Sequence, residues 1–402
     1  MARGSLGALK HLGSMGGPSK PGRFRPVGVD FGTYALKVMQ LTGGDRPSLV
    51  SAASIDTPHD LLADPAGRLA FQTQQLPGLV RSAGFKGKRA VCLLPAPLTY
   101  TTHLQVPKGD DNMIEGASRI AVGAQLGCDP ASLVMRWHEV GPSNQGQGKL
   151  EVLAMASPRR TVDRLMQALA GAKLEPVGMR TEPVALLRGF QSLGLTSETE
   201  TTLYLDLGYG TTKALIAHGQ KLLFARTIEL GGAALDREIA ERRKVSAERS
   251  HELRLGCIEF SGVEKPPVAS VTALGGGGVA RVGESGLRMP AAMTDSRKSV
   301  SVLPDVRESL EMLGDEVSMC LRYHQSLFPS SPVTRVVLTG GESRHLGLCR
   351  RVAGAARVSV QAGDPARAIG RTGKEPSAGV DLAQPMPGWA AVLGLGMCPT
   401  DL

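Results

Sequence analysis

This sequence of 402 residues lacks the features that mark several common protein classes. Its six cysteines are scattered, with no Cys-x-x-Cys pair and no histidine cluster beside them, which argues against a zinc site and against a disulfide framework. No uninterrupted apolar run reaches about 18 residues, so no segment is predicted to span a bilayer. Aromatic residues are only 4% of the chain and no basic run is interleaved with them, so a nucleic-acid groove is not expected despite the formal net charge of +9.

Familiar catalytic signatures are also missing. A Walker A loop, Gly-x-x-x-x-Gly-Lys-Ser/Thr, does not occur. His251 and Glu252 lack the second histidine that a zinc-binding helix requires, which leaves them as a surface pair. The glycine run at 275–278 has neither the strand before it nor the helix after it that a dinucleotide-binding turn needs. Other kinds of phosphate-binding turn are not excluded.

One strand-and-turn pattern occurs twice. Residues 27–37 and 203–213 each consist of an apolar strand, an aspartate, one apolar residue, a glycine and small hydroxyl residues, followed by a second strand that contains a lysine. The aspartates are Asp30 and Asp206. A further alternating strand follows each stretch, which predicts a three-stranded meander in both places. The chain is therefore expected to consist of two related halves.

The glycine turns of these stretches have the chemistry of a phosphate cradle. Glycine lets a backbone approach a ligand closely, and successive amide groups beside a hydroxyl can bind phosphate oxygens. Two such turns facing each other could clamp the phosphates of a nucleotide, with Asp30 and Asp206 holding Mg²⁺ through its water ligands. A plain β-hairpin explains either stretch alone, and the presence of both favours the clamp. A third turn, 339–342, could approach a ring or a phosphate, or could simply connect a strand to a helix.

The remaining sequence divides into several segments. Residues 1–26 contain several basic residues and no acid, lack the apolar run of a secretory signal, and are predicted to be a disordered basic tail. Residues 89–175 alternate strands and helices and are predicted to be an inserted subdomain. The insert divides the first half, 27–88 plus 176–199, while a flexible insertion at 261–302 divides the second half, 200–260 plus 303–398.

Taken in order, Asp30-Phe-Gly-Thr, Asp206-Leu-Gly-Tyr-Gly-Thr-Thr and Leu338-Thr-Gly-Gly-Glu resemble the first phosphate, second phosphate and adenosine motifs of the actin, heat-shock chaperone and sugar-kinase superfamily. Residues 182–188 and 389–397 look like the two helices that connect the lobes in that superfamily. Within it, residues 28–41, the block 89–172 and Ile228-Glu-Leu-Gly-Gly232 are similar to the type IV pilus assembly protein PilM family, which is related to the cytoplasmic part of type II secretion GspL-like proteins. The resemblance covers residues 27–260 and 303–398.

The resemblance implies an α/β fold, with an actin-like pair of lobes built from duplicated ribonuclease-H-like domains and an inserted small α+β subdomain. It implies ATP and Mg²⁺ as cofactors, with the metal held by Asp30 and Asp206. The expected nucleotide-binding residues are Asp30, Gly32, Thr33, Tyr34, Lys37, Asp206, Gly208, Gly210, Thr211, Thr212, Gly232, Gly340, Gly341 and Glu342. No catalytic residue is identified, so any ATP hydrolysis is expected to be slow at most.

The resemblance also implies a cytoplasmic scaffold of a type IV pilus or type II secretion assembly platform, peripheral to the inner membrane through its partners. The expected partner is a bitopic membrane protein of the PilN type, whose N-terminal peptide would dock in a groove involving the inserted subdomain. Contacts with other platform proteins are expected, and self-association is left open. Two alternatives remain: a cell-division tether resembling FtsA, which would need an amphipathic membrane helix, and a sugar or acetate kinase, which would need a larger substrate-binding lobe.

Overall fold

The computed structural model describes residues 23–143, 146, 148–256 and 305–399, together with the backbone of 271–274. Most of the predicted basic tail, 1–26, lies outside these ranges. Its end does not match the prediction, because Phe24 bridges to Thr42 and the Arg25 amide donates to the Leu41 carbonyl at 2.9 Å. The predicted flexible insertion, 261–302, lies outside the described residues except for one strand at 271–274, which the sequence did not indicate.

The elements alternate along the chain as an α/β protein requires. In chain order they are β1 (Val27–Phe31), β2 (Ala35–Leu41), β3 (Leu49–Asp56), α1 (Pro65–Ser82), β4 (Arg89–Leu94), β5 (Tyr100–Pro107), α2 (Asp111–Leu126), β6 (Leu133–Pro142), β7 (Lys149–Pro158), α3 (Arg159–Gly171), β8 (Glu175–Thr181), α4 (Glu182–Ser192), β9 (Thr201–Leu207), β10 (Thr212–His218), β11 (Lys221–Ile228), α5 (Gly232–Arg243), α6 (Ala247–Leu255), β12 (Val271–Leu274), α7 (Arg307–Leu327), β13 (Val333–Thr339), α8 (Leu346–Ala356), β14 (Ser359–Gly363), β15 (Ser377–Ala378) and α9 (Ala390–Met397).

Two six-stranded sheets repeat one topology. The strand order is β15-β3-β2-β1-β4-β8 in the first lobe and β11-β10-β9-β13-β14-β12 in the second. In each lobe the three meander strands are antiparallel, and the first of them also pairs in parallel with a later strand, β4 or β13. Strands β1 and β9 are therefore central and buried on both faces, and the least buried residue of each is its aspartate, Asp30 or Asp206. The predicted duplication is present.

Helix α7 covers the second sheet with one apolar stripe. Leu310, Leu313, Val317 and Cys320 recur at helical spacing and are buried in the core of this lobe. Burying an aliphatic side chain of this size contributes about 1.5–3 kcal/mol. The helix begins at Arg307, and its first amides donate to the carboxylate of Glu238 on α5. A side chain from another helix therefore decides where α7 begins.

The inserted subdomain is smaller than predicted. Strands β5, β7 and β6 form an antiparallel three-stranded sheet in that order, which encloses a separate core with α2. Strand β4 instead lies between β1 and β8, and Val162 and Leu165 of α3 belong to the core of the first lobe. The insert therefore spans 100–158 rather than 89–175. The parallel pairing of β4 with β1 joins distant parts of the chain, so local periodicity does not show it.

Helices α4 and α9 cross where two glycines meet. A Cβ on Gly189 would stand 3.1 Å from the Gly394 Cα, and a Cβ on Gly394 would overlap the Ala185 carbonyl oxygen. Helix α9 also packs Val392 and Leu393 against apolar residues of β2. The assignment of all of 303–398 to the second lobe was therefore wrong at its end, because α9 and β15 pack on the first sheet. Among the described residues no helix is long and apolar enough to cross a membrane.

Candidate functional site

Turns from the two lobes meet between the sheets. Gly210, in the β9–β10 turn, lies so near the β1–β2 turn that a Cβ on it would stand 2.7 Å from the Thr33 hydroxyl oxygen. Gly208 is equally confined, since its Cβ would stand 2.7 Å from the Thr211 carbonyl oxygen of the same turn. The two glycine turns therefore contact each other directly. We call these turns, with Asp30 and Asp206 before them, the interlobe site.

The same aspartate-to-lysine register occurs on both sides of the interlobe site. Asp30 pairs with Lys37 across β1 and β2, and Asp206 pairs with Lys213 across β9 and β10. The Lys213 ammonium lies 3.6 Å from Asp206 Oδ2 and 2.8 Å from Oε2 of Glu182, the first residue of α4. Glu182 Oε1 accepts a further hydrogen bond from the Ala96 amide at 3.0 Å. The sequence did not indicate Lys213 or Glu182 as site residues, although the repeated lysine was a signal for the first.

The two aspartates have different surroundings. Burial raises the pKa of Asp30 to about 6, and the nearby ammonium groups of Lys37 and Lys213 only partly oppose this effect. Lys37 Nζ donates to the Gly388 carbonyl just before α9, at 2.5 Å. Within the ranges that the structure describes, no three His, Cys, Asp or Glu side chains are grouped closely enough to hold a metal ion. That absence concerns groups of three or more side chains, so the predicted Mg²⁺ pair, Asp30 and Asp206, stays a prediction.

The third predicted turn packs against the second. Gly340 has a φ of +91°, which favours glycine, and a Cβ on it would overlap the Asp206 carboxylate. The Thr339 hydroxyl and the Gly340 amide both donate to the Pro387 carbonyl, at 2.9 and 3.2 Å, which ties the turn to the segment before α9. A Cβ on Gly341 would meet no atom within 4 Å. The backbone of Gly341 therefore borders open space that a ligand could enter.

Glu342 is held in a buried ion-pair network beside this turn. It pairs with Arg254 of α6, which is fully buried, and its Oε2 lies 3.2 Å from His345 Nε2. Arg254 Nε also contacts Asp236 Oδ1 at 2.5 Å, and Asp236 Oδ2 lies 2.7 Å from His251 Nδ1. Burial works to raise the pKa of Glu342, but the hydrogen bond with His345 and the charge of Arg254 outweigh it and lower the pKa. The sequence missed Arg254, which no local motif marks.

Several other predicted residues make structural contacts. A Cβ on Gly232 would stand 2.6 Å from Glu342 Oε1, so this glycine makes room for the ion-pair network. Thr212 is buried, and its hydroxyl donates to the carbonyl of Leu230, just after β11, at 2.7 Å. Thr211 is also buried, and its backbone carbonyl accepts a hydrogen bond from the Gly208 amide at 3.1 Å. These two threonines therefore stabilise the β9–β10 turn through their hydrogen bonds.

Aromatic rings from both lobes gather beside the turns. Tyr34 of the first turn lies 5.7 Å from Tyr209 of the second, measured between ring centroids, and 5.6 Å from His251 in a stacked arrangement. His59 of the first lobe approaches the same His251 ring at 5.8 Å. Arg254 lies 5.4 Å from the centroid of Tyr209, within cation–π range. The cluster therefore joins the lobes and connects the turns to the buried ion-pair network.

A second concave surface lies where the insert meets the second lobe. It has a volume of about 430 Å³, and we call it the insert groove; its walls are β5, β11 and α7, through Thr101, Thr102, His103, Phe224, Ala225, Arg226, Met319, Arg322 and Tyr323. β5 and β11 are both edge strands of their sheets. Edge strands present unpaired backbone groups, so an extended chain could add to either one.

The polar groups of the insert groove are not all satisfied within the molecule. The His103 side chain is only 6% exposed, its ring stacks on Phe224, and neither ring nitrogen has a hydrogen-bond partner among the described residues. Burial, with help from His324, lowers the pKa of His103 to about 4, so the ring is neutral. Arg322 is exposed and forms no ion pair with any other residue in the described ranges. Among the described residues, the groove thus offers an apolar wall, the Arg322 guanidinium and the His103 ring, whose Nδ1 lies 3.8 Å from Glu151 Oε1 without a hydrogen bond.

A family model described as type IV pilus assembly protein PilM matches residues 28–255. The chain belongs to the PilM family. The match runs from β1 to α6 and so includes both turns of the interlobe site and the whole insert. No curated protein sequence matches this PilM-family chain.

Solved structures show the fold of this PilM-family protein. It is similar to the structure of a PilM-PilN type IV pilus biogenesis complex, with 22% identity and a TM-score of 0.69 over 94% of this chain and 100% of the other. Lower similarity is found to the ethanolamine utilization protein EutJ from Carboxydothermus hydrogenoformans, at 15% identity and a TM-score of 0.46 over 94% and 90% of the two chains. A Bacteroides thetaiotaomicron protein with an actin-like ATPase fold gives 8% identity and 0.42 over 86% and 93%. The predicted α/β fold with two duplicated lobes is confirmed by the sheet topology and by the likeness to the PilM-PilN structure.

Proposed function

We propose that this PilM-family protein is a nucleotide-binding scaffold of a type IV pilus assembly platform. It holds ATP between its lobes and binds a peptide of a membrane partner on its insert. The observation that carries the proposal is the contact between the two glycine turns of the interlobe site in a chain of this family. The protein acts at the cytoplasmic face of the inner membrane, to which its partner attaches it.

The chemistry of the turns suits the phosphates of ATP. Gly32, Gly208 and Gly210 keep side chains out of the turns, so backbone amides can approach phosphate oxygens, and the Thr33 hydroxyl adds a donor. Gly341 borders open space on the side where the adenosine would lie. ATP acts here as a ligand that fixes the angle between the lobes, because it would contact turns from both. Besides the two aspartates, the described part of the site carries the carboxylate of Glu182, which already binds Lys213 and the Ala96 amide, so we expect turnover to be slow at most.

Binding is tested by the thermal shift that ATP produces. A ligand that binds only the folded state stabilises it by about 2.7 kcal/mol at 100 times its Kd, so the melting temperature of the wild-type protein should rise. Gly210→Ala should lose most of this shift, because the new methyl group pushes the turns apart at Thr33. Gly354→Ala is the matched control, since a Cβ there meets no atom within 4 Å. Absence of any shift for the wild-type protein would reject ATP binding.

The insert groove suits an extended peptide of the PilN type. Such a peptide can pair its backbone with an edge strand, β5 or β11, and place apolar side chains against Phe224, Met319 and Tyr323. A carboxylate or carbonyl of the peptide can accept from Arg322, and a backbone amide or carbonyl can complete the hydrogen bonding of His103. The solved PilM-PilN complex that shares this fold makes PilN the partner to test first.

Peptide binding is measured by fluorescence polarisation with the labelled N-terminal segment of the PilN-type protein from the same cell. Met319 and Tyr323 are 38% and 45% exposed, and replacing both by alanine should weaken binding by about 10-fold or more, as expected for anchor residues. Met166→Ala is the matched control, because Met166 is 42% exposed on α3, outside the groove. Equal loss in the control, or full binding by the double variant, would place the peptide elsewhere.

A further inference from the structure

One ammonium group lies where the sequence placed a metal ion. The Lys213 side chain is only 14% exposed, and its Nζ stands 2.8 Å from Glu182 Oε2 and 3.6 Å from Asp206 Oδ2. The carboxylate of Asp30 also acts on it from the first lobe. The Lys213 ammonium is also close to the β9–β10 turn, because a Cβ on Gly208 would stand 3.2 Å from Lys213 Nζ. Lys213 therefore reaches the point where the carboxylates and the phosphate-type turn come together.

The surroundings of Asp206 do not fit Mg²⁺. This ion requires about six oxygen ligands at about 2.0–2.1 Å in octahedral geometry. Any cation bonded to Asp206 Oδ2 would stand within a few ångströms of the Lys213 ammonium, and like charges at that distance repel strongly in a partly buried site. Glu182 cannot compensate, since one of its oxygens already binds Lys213 and the other accepts from a backbone amide. The prediction was that Asp30 and Asp206 hold Mg²⁺ through its water ligands, and an ion held in that way would still have to share the Asp206 carboxylate with the Lys213 ammonium.

We propose that the Lys213 ammonium serves as the built-in cation of the interlobe site, neutralising Asp206 and Glu182 and facing the nucleotide phosphates, so that nucleotide binding does not require Mg²⁺. The statement about nucleotide binding without Mg²⁺ rests on the proposed binding of ATP, whereas the neutralisation of Asp206 and Glu182 by Lys213 does not. Burial works to lower the pKa of Lys213, but Glu182 and Asp206 outweigh it and hold the pKa above its ordinary value. The side chain is therefore charged throughout the physiological pH range.

The charge balance of the site predicts what removal of Lys213 does. Lys213→Met keeps the unbranched shape of the side chain, one atom shorter, but leaves Asp206 and Glu182 without their cation. Paired carboxylates deprived of a counter-charge repel each other and bind a divalent ion instead. The variant should melt at a lower temperature than the wild-type protein, and millimolar Mg²⁺ alone should raise its melting temperature by about 4 °C or more. The wild-type protein should show no such rise in MgCl₂ compared with NaCl of equal ionic strength.

Two further variants keep this test decisive. Lys221→Met removes an exposed lysine from the adjacent strand β11 and should respond to Mg²⁺ as the wild-type protein does. If Lys213→Met does not fold in the absence of Mg²⁺, the double variant with Glu182→Gln removes one of the two carboxylates that lack a cation and should fold. Its melting temperature should respond less to Mg²⁺ than that of Lys213→Met produced in the presence of Mg²⁺. A Mg²⁺ response of the wild-type protein alone, or none in any Lys213 variant, would overturn the built-in cation.

Nucleotide binding is then measured separately, by calorimetry with ADP in EDTA and in MgCl₂. The wild-type Kd should differ by less than about 3-fold between the two buffers, a difference below about 0.7 kcal/mol. A Kd that is more than about 10-fold lower in MgCl₂ would overturn the metal-independent binding. No binding of ADP or ATP in either buffer would instead reject the nucleotide proposal, while the response to Mg²⁺ alone would still decide the role of Lys213.

Discussion

Asp30→Asn is expected to stabilise the nucleotide-free protein near neutral pH. The Asp30 carboxylate lies partly buried at the end of β1, and no ion-pair partner within 4 Å is found for it among the described residues. Its negative charge is therefore poorly compensated in the folded state, whereas the unfolded chain exposes it to water. Asparagine has nearly the same shape without the charge, so the substitution removes the unfavourable term and leaves the packing of the turn intact.

The magnitude follows from the pKa. Burial raises the pKa of Asp30 from 3.8 to about 6, and each unit corresponds to about 1.36 kcal/mol, so the charge costs at most about 3 kcal/mol. Because the folded pKa lies above the unfolded one, the unfolded chain loses its proton first as the pH rises. The contribution of Asp30 therefore becomes less favourable between about pH 4 and pH 6 and is constant above that range. At about 2 °C per kcal/mol, the variant should melt several degrees higher near pH 7.

The assay is thermal and urea unfolding of both proteins between pH 4 and pH 8, without nucleotide. The difference between variant and wild type should be small near pH 4 and should grow to its full value by about pH 7. Asp163→Asn, on the exposed face of α3, is the control and should leave the curve unchanged. A variant that is less stable than wild type near pH 7, or a difference that does not depend on pH, would refute this account of Asp30.

Three further substitutions test the packing around the site. Arg254→Met removes the guanidinium from two buried carboxylates and should lower the free energy of unfolding by about 3–5 kcal/mol. Exposed Arg249→Met should change it by less than about 0.5 kcal/mol, and similar values for both variants in urea titrations would contradict the network. Gly394→Ala should lower the free energy of unfolding by about 3 kcal/mol or more, because the new methyl group separates α4 from α9. A Cβ on Gly396 would stand 3.7 Å from its nearest neighbour, so Gly396→Ala should fold normally. Equal thermal stability of the two variants would contradict the close crossing of the helices. Gln40→Glu loses two hydrogen bonds that the side chain donates to backbone carbonyls, and this should lower the free energy of unfolding by about 3 kcal/mol. Thermal melting followed by circular dichroism measures the loss, and an unchanged melting temperature would contradict the role of these bonds.

Local patterns identified most of the elements. Strand β4 is an apolar run that ends before Pro95, and helix α2 has apolar residues at helical spacing. These elements are set by side chains a few positions apart, such as the Asp110 cap that accepts from the Met113 amide. The repeat around Asp30 and Asp206 likewise predicted the duplicated meanders, because alternation and turn glycines are visible in one stretch of sequence.

Several contacts between distant parts of the chain were not predicted. Strand β4 joins the first sheet through parallel pairing, and α9 returns to the first lobe after the second is complete. Arg254 meets its carboxylates from α5 and from the β13–α8 turn, and no spacing rule links those segments.

By itself, the sequence determined a duplicated α/β protein with two glycine turns and an aspartate before each, since each of these features depends on neighbouring residues. Only the tertiary structure decided what those aspartates contact. Lys213 and Glu182 lie on different elements, β10 and α4, and meet at 2.8 Å because the second sheet packs against the connecting helix. A charge placed by packing in this way changes a predicted metal pair into a site that already contains its own cation.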